Sequence, residues 1–561
     1  EQTYVTDFSE GVENRRIVPA VSRPYGERLA NLPVGGPVRA LAASENEQGL
    51  AAAALGEDGR VHLVWGSKQQ NFLSGETELD VSLRERALAF DATGVALSGN
   101  HRWLYVSDAD GRVHRFDLPS LEPVQVVEVS EQPITELRML LGGISLLAGD
   151  RAGNIVQLFP VRDDDNNYHL ERVRAFEPMQ GAITKIIPEA RRKGFVVLAA
   201  DGQVGIYHAT AGQQVWAGEA APARAAALAP RANQLVLIGE DGRLHRLAID
   251  NEHPEISFSA LWQKVWYENY QEPEYTWQSS ASSNDFEPKF SLSPLAFGTL
   301  KAALYAMLFA VPLALMGAAY TAYFMAPRMR RLVKPTIEIM EALPTVILGF
   351  LAGLWFAPWV ESHLAGVFAV LLVVPLGTLL FAFGWHQADA SQRLGVREGW
   401  EPAVLLPVLV LLTVVALGMA EPLQQWFFGG DLRTWLSQEA GISYDQRNAM
   451  VVGAAMGFAV IPTIFSIAED AIFGVPKSLP NGSLALGATP WQSLVRVVLP
   501  TASPGIFSAL MIGMGRAVGE TMIVLMATGN TPVMDWNIFE GMRTLSANIA
   551  VEMPESEVGS S

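Results

Sequence analysis

Residues 483–521 read SLALGATPWQSLVRVVLPTASPGIFSALMIGMGRAVGET, and the fold turns on how this stretch is interpreted. Its first part is polar enough to leave a membrane: Gly487-Ala488-Thr489-Pro490-Trp491 runs on to Val497-Val498-Leu499-Pro500. Its second part is apolar and carries Arg516 and Glu520 four residues apart, which one continuous helix would place on a shared face. A charge inside an apolar span costs about 2.5–3.5 kcal/mol on insertion scales, so such a pair is expected to face protein or a polar path rather than lipid. Gly513, Gly515 and Gly519 on the same segment permit close helix approach.

The surrounding composition agrees with a membrane setting. Half of the 561 residues are hydrophobic, the net charge is −18, and there is no cysteine. The negative charge argues against a nucleic-acid partner, and the lack of cysteine excludes disulfides and thiolate metal sites. Windows 302–324, 342–360, 364–385, 403–420 and 448–468 hold no charged residue, and a sixth, 504–528, holds the Arg516/Glu520 pair. Each approaches the roughly 20 residues needed to cross a bilayer core. So many apolar segments cannot share one soluble core, so 295–528 is expected to be an all-α multi-span membrane domain in a lipid bilayer. The loop after the first span carries Arg328, Arg330, Arg331 and Lys334, the third Arg393 and Arg397, and the fifth, 474–502, Lys477 and Arg496. The second and fourth are neutral to acidic. The positive-inside rule puts loops one, three and five in the cytoplasm and the N-terminal region outside, in the periplasm of a bacterial inner membrane.

Residues 1–255 are of another kind. A short unit recurs as Asp58-Gly59-Arg60-Val61-His62, Asp110-Gly111-Arg112-Val113-His114, Gly153-Asn154-Ile155, Asp201-Gly202-Gln203-Val204 and Asp241-Gly242-Arg243-Leu244-His245. Its glycines are spaced by 52, 42, 49 and 40 residues. Asp-Gly between apolar, alternating runs predicts a tight hairpin, and hairpins at this period predict blades of an all-β propeller of WD40-like class, five of them visible. The Arg and His after each turn are expected to be polar strand faces; a ring of them attracting an anion is the alternative. Residues 256–294 form an aromatic linker with Trp262, Trp266, Tyr267, Tyr270, Tyr275 and Trp277, read either as an interfacial belt or as packing under the propeller.

The 483–521 stretch resembles the ABC importer permeases. Gly487 followed at a fixed gap by Val497, Leu499 and Pro500 is similar to their cytoplasmic coupling loop, although the leading E-A-A of that motif falls on Asn481-Gly482-Ser483. Gly515-Arg516-Ala517-Val518-Gly519-Glu520-Thr521, Glu341-Ala342-Leu343-Pro344-Thr345-Val346-Ile347-Leu348-Gly349 and Ala527-Thr528-Gly529-Asn530-Thr531 resemble the PstC-type phosphate permeases. The likeness covers about 295–360 and 448–561; the propeller and an insertion at 361–447 depart from it. It implies a permease subunit that moves inorganic phosphate with no cofactor of its own, Arg516, Glu520 and Thr521 lining the substrate path and Glu520 holding the Arg516 guanidinium. It also implies that Gly482, Ser483, Gly487, Ala488, Thr489, Trp491, Leu499 and Pro500 form the surface that meets a separate ATPase. The chain has no Gly-Lys dipeptide and so no phosphate loop of its own. The implied partners are a second, PstA-like permease subunit, a PstB-like ATPase dimer and a PstS-like phosphate-binding protein outside. An exported propeller without an export signal, in a family with a span at each end, implies a fragment whose external tail, 529–561, precedes a missing last span.

Other readings stay open at this point: a permease for another oxyanion or small solute, a membrane-anchored propeller enzyme such as a quinone-linked dehydrogenase, or a propeller scaffold with spans as anchor. The coupling-type loop favours transport over the last two.

Overall fold

The structure is a computed structural model that describes residues 2–7, 16–21, 36–70, 77–220, 222–279, 287–387 and 401–554. The chain divides into two compact units, the first running to Ser291 and the second beginning at Leu292.

The first unit is propeller-like. Residues 38–87, 92–128, 134–175 and 183–219 each form a four-stranded antiparallel sheet, and 223–248 a three-stranded one. A two-stranded hairpin, Gln2–Asp7 with Arg16–Val21, precedes them. The first strands of successive blades lie against each other, from Val38–Glu45 through Ala92–Leu97, Ile134–Met139 and Ile183–Pro188 to Ala223–Leu228. Each pair of neighbouring blades shares an apolar core, for example Leu55 and Leu63 with Leu97 and Leu104, then Tyr105 with Leu146, Leu147 and Ile155 with Phe195, and Leu198 with Leu237. Second strands such as Trp103–Asp108 and Gly194–Ala199 are buried throughout, because a blade is covered on both faces. That is why they read as continuous apolar runs rather than alternating ones.

The recurring glycine has one job in all five blades. Gly59, Gly111, Gly153, Gly202 and Gly242 join the second strand to the third, with φ between +74° and +92°. An aspartate holds each turn: Asp58, Asp201 and Asp241 accept the amide two residues on, while Asp108 and Asp150 accept two amides each. The carbonyls of Gly59, Gly111, Gly153 and Gly202 accept amides from the chain leaving the blade. The neighbouring Arg and His side chains are engaged inside their own blades. Arg60 pairs with Glu85 at 2.7 Å, and His114 meets Asp108 at 2.7 Å while stacking on Phe90.

The aromatic linker packs on blades three and four. Tyr267 is buried, Trp266 sits edge-on to Phe159, and Arg174 donates to the carbonyl of Trp266 at 2.9 Å. Buried Lys193 donates to Glu268 at 2.7 Å, and Glu287 accepts from Thr210 at 2.5 Å and from the Glu268 amide at 3.0 Å. His208 lies in the same cluster. Its Nδ1 accepts the Ala211 amide at 3.2 Å, and burial, together with Arg192 and Arg174, pushes its pKa down to about 3.

Among the described residues the second unit contains six helices long and apolar enough to cross a membrane: α1 (Ser293–Tyr323), α3 (Thr345–Ser362), α4 (Leu364–Gln387), α5 (Ala403–Phe427), α6 (Ala449–Phe473) and α8 (Pro490–Gly519). Between them lie α2 (Pro327–Glu341) and α7 (Ser478–Ala485), and after them α9 (Met522–Ala527) and α10 (Leu545–Glu552). Helix α6 is the axis. On one side Gly453 and Gly457 face Tyr305 and Ala306 of α1, whose buried Ala306, Ala310, Ala314 and Ala318 form a small-residue stripe. On the other side Ile464 and Ala471 of α6 fill the space beside Gly513 and Gly505 of α8. Small residues let backbones approach where dispersion rather than water exclusion drives packing. Helices α4 and α5 pack largely on each other, with Gly377 against Leu412. Residues after α9 fold back on this unit: Tyr305 donates to the Trp536 carbonyl at 2.6 Å, and the Ala449 amide to that of Glu540 at 3.0 Å.

The last apolar helix departs from the expected 504–528 window. It begins at Pro490 and ends at Gly519. Thr489 and Gln492 form a reciprocal cap that starts it early. A π-helical turn at Leu494–Val498 absorbs the ladder fault before Pro500, which has no amide to donate.

Two outcomes are expected. Gly59→Ala adds a Cβ into open space and costs about 1 kcal/mol of left-handed strain. At Gly153 a Cβ stands 2.1 Å from the Met179 carbonyl, so Gly153→Ala costs about 1–3 kcal/mol more; hydrogen exchange at blade amides checks the difference. For His208, the unfolded chain takes up a proton near 6.5 and the folded chain only near 3. Its stabilising contribution is therefore complete above about 6.5 and falls by about 1.4 kcal/mol per pH unit as acid is added towards 3, measured against His208→Gln.

Candidate functional site

Helices α2, α6 and α8 meet along a line of polar side chains. Helix α2 presents Arg330, Lys334, Glu338 and Glu341 at helical spacing along one side. At its first turns Arg330 and Lys334 grip the fully buried Glu469 of α6 at 2.6 and 2.9 Å, and Lys334 also reaches Asp470. One step further along, Ser466 donates to Glu338 at 3.0 Å. At the end of α2, Thr463 donates to Glu341 at 2.9 Å. Arg516, in the last turn of α8, completes the line: its Nη1 lies 2.7 Å from Glu341 Oε1 and 2.5 Å from Thr463 Oγ1.

The expected Arg516–Glu520 pair is therefore not formed. Helix α8 stops at Gly519, and Glu520 takes an extended backbone with ψ 123°, so the i, i+4 register that would bring the two together is broken. The Glu520 carboxylate turns instead to the amides of Met522 and Ile523, at 3.2 and 3.4 Å, and caps the start of α9. Its carbonyl accepts from Ser546 at 3.1 Å. Thr521 sits in the break itself, its hydroxyl 3.4 Å from the Gly519 carbonyl. Interrupted backbone at membrane depth is tolerated where protein or a polar cavity satisfies it, so the break marks the same region as Arg516. Arg516 benefits from its place at a helix C-terminus, where the dipole favours a cation. Glu341 has the opposite situation at the end of α2, and its seat depends on Arg516 and Thr463.

Glu341 was visible in the sequence only as the start of an Ala-Leu-Pro motif, and Thr463 not at all. The usable signal was the period of Arg330, Lys334, Glu338 and Glu341 directly after an apolar helix.

The second feature is the α7–α8 connection. Helix α7 contains Gly482 and Ser483, ends at Ala485, and turns through Gly487 at φ +90°, a conformation costly for any residue with a Cβ. The amides of Gly487 and Ala488 close the turn on Leu484 and Ser483. The turn holds four apolar side chains out from the surface: Leu479, Leu484, Leu486, which is 92% exposed, and Trp491, 65% exposed. Leu499 and Pro500 are not part of this connection but lie within α8. Among the described residues no three His, Asp or Glu side chains converge as a metal site requires.

Comparison with known proteins gives the context. Residues 401–555 match the family described as binding-protein-dependent transport system inner membrane component. The chain is 26% identical over 276 residues to a probable ABC transporter permease protein, YqgH, of Bacillus subtilis, covering 49% of this chain and 64% of that one. It is 26% identical over 261 residues to the phosphate transport system permease protein PstC 1 of Mycobacterium tuberculosis, covering 46% of this chain and 60% of the relative. A shorter match, 33% over 113 residues, covers 20% of this chain and 37% of the phosphate permease PstA of Mycobacterium leprae. The chain thus spans somewhat under two thirds of the length of these PstC-like relatives. A propeller domain of Myceliophteria thermophila Cps50 (Swd1) aligns at TM-score 0.30 and 13% identity, over 38% of this chain and 83% of that one. Residues 401–555 thus carry a likeness to binding-protein-dependent transport components, within a helical unit whose described residues include six helices long and apolar enough to cross a membrane, and the first unit is propeller-like.

Proposed function

We propose that this chain is the permease subunit of an ATP-driven importer that carries inorganic phosphate into the cytoplasm. The observation that carries the reading is the guanidinium of Arg516, held between three helices at the end of a line of polar side chains and beside a break in its own helix. A planar, permanently charged fork in such a place suits an oxyanion. The names of the PstC relatives support phosphate as that anion. The path is read as Arg516 with Glu520 and Thr521 at the helix break, Glu520 acting on backbone order rather than on the guanidinium.

The α7–α8 turn is the coupling surface in this reading. Its exposed Leu484, Leu486 and Trp491 fit the apolar anchors that dominate protein interfaces, set here by the left-handed turn at Gly487. A PstB-like ATPase dimer is the partner they suit, a PstA-like subunit completes the pore, and a PstS-like protein delivers phosphate outside. The basic residues of α2 and the α7–α8 region support a cytoplasmic position for these two segments. On the same rule the propeller-like unit is periplasmic.

Radiolabelled phosphate uptake tests the reading. Gly487→Val forces a β-branched residue into positive φ. It is expected to leave membrane abundance near wild type while cutting uptake at least about tenfold, the effect of losing roughly 1.4 kcal/mol of coupling. Wild-type uptake by this variant contradicts the coupling role; absence of phosphate uptake by the wild type contradicts the substrate.

A further inference from the structure

We infer that Glu341 is a resident counter-anion of Arg516, occupying the place of the transported oxyanion and leaving when that anion arrives. The inference rests on the proposed transport of phosphate and adds a residue of defined role to it.

The geometry is competitive. Arg516 engages both Glu341 Oε1, at 2.7 Å, and Thr463 Oγ1, at 2.5 Å, through the same Nη1. A phosphate oxygen is the same kind of acceptor as a carboxylate oxygen, so an anion that takes Nη1 must take it from Glu341. Thr463 is shared: its hydroxyl accepts from Arg516 and donates to Glu341 at 2.9 Å. Once the carboxylate has gone, that O–H is free to donate to the incoming anion. The site then exchanges one oxygen ligand for another without stranding a donor.

Glu341 is also built to leave, in contrast to its neighbour Glu469. The Glu469 side chain is fully buried between Arg330 and Lys334, whereas that of Glu341 is 45% exposed and that of Arg516 26%. Glu341 is the last residue of α2, followed directly by the break at Ala342-Leu343-Pro344 before α3. A carboxylate at a helix C-terminus is disfavoured by the dipole, while Arg516 at the end of α8 is favoured by it. Displacing Glu341 moves a carboxylate that already reaches solvent, and it leaves Arg516 supported at the end of α8. The resting path presents a masked cation, which keeps small anions from being held there between transport events.

The test uses the full chain with the subunits that copurify with it, in lipid nanodiscs without the binding protein. Equilibrium binding of radiolabelled inorganic phosphate is measured for the wild type, Glu341→Gln and Glu341→Ala. Both variants are expected to bind phosphate at least about tenfold more tightly than wild type, and adding Arg516→Gln to either is expected to abolish the gain. Glu341→Gln keeps the side-chain shape and Glu341→Ala removes it, so whichever assembles to normal abundance reports the loss of the carboxylate. Phosphate binding equal to or weaker than wild type in the variants overturns the inference. Phosphate uptake by intact cells expressing the wild type separates the two claims: uptake with unchanged binding in the variants defeats only the role of Glu341, whereas a wild type that moves no phosphate defeats the substrate assignment.

Discussion

A guanidinium placed inside an apolar helix bundle has to be held, and the second unit is arranged around holding it. Arg516 is reached by Glu341 from α2 and by Thr463 from α6, and the hydrogen bonds tie three helices at one point. The glycines that bring α6 and α8 together, Gly505 and Gly513, allow the short approach that lets Thr463 reach Arg516. Further along α2 the pairs with Ser466 and Glu469 repeat the same device, so a strongly amphipathic helix is fixed to an apolar one by side chains that would otherwise be stranded. Burying a charge is tolerable when its partner is present and hydrogen-bonded, and severe when the partner is removed. The bundle therefore depends on contacts between residues 175 positions apart in sequence.

The first unit solves a different problem by repetition. Its blades use one turn design, with a glycine at positive φ, an aspartate holding the amides, and the chain to the next blade clasped on the glycine carbonyl. Blade three and blade four then receive the aromatic linker through Lys193, Arg174 and Thr210, which satisfy Glu268, the Trp266 carbonyl and Glu287. A buried polar cluster of this kind adds little net stability but admits few alternative arrangements of the linker.

Much of this was legible from residues alone because the governing rules are local. Asp-Gly at a fixed period announces hairpins, and a charge-free run of sufficient length announces an apolar helix. Local rules failed where tertiary contacts decide. Arg516 and Glu520 are at helical spacing, yet Ser546 and the amides of α9 draw Glu520 out of the helix. Leu499 and Pro500 resemble the end of a loop motif, but the cap at Thr489 and the π turn before them carry the helix through. The partner of Arg516 was hidden because spacing rules cannot see across 175 residues.

The most direct measurement is a pair of double-mutant cycles on the unfolding of the solubilised chain, one across Arg516 and Glu341 and one across Arg516 and Glu520, each side chain changed to Gln. A coupling of about 1.5–3 kcal/mol is expected for Arg516 with Glu341, the size of a charge-assisted hydrogen bond, and a coupling near zero for Arg516 with Glu520. The reverse pattern, with Arg516 coupled to Glu520 and indifferent to Glu341, would contradict the account.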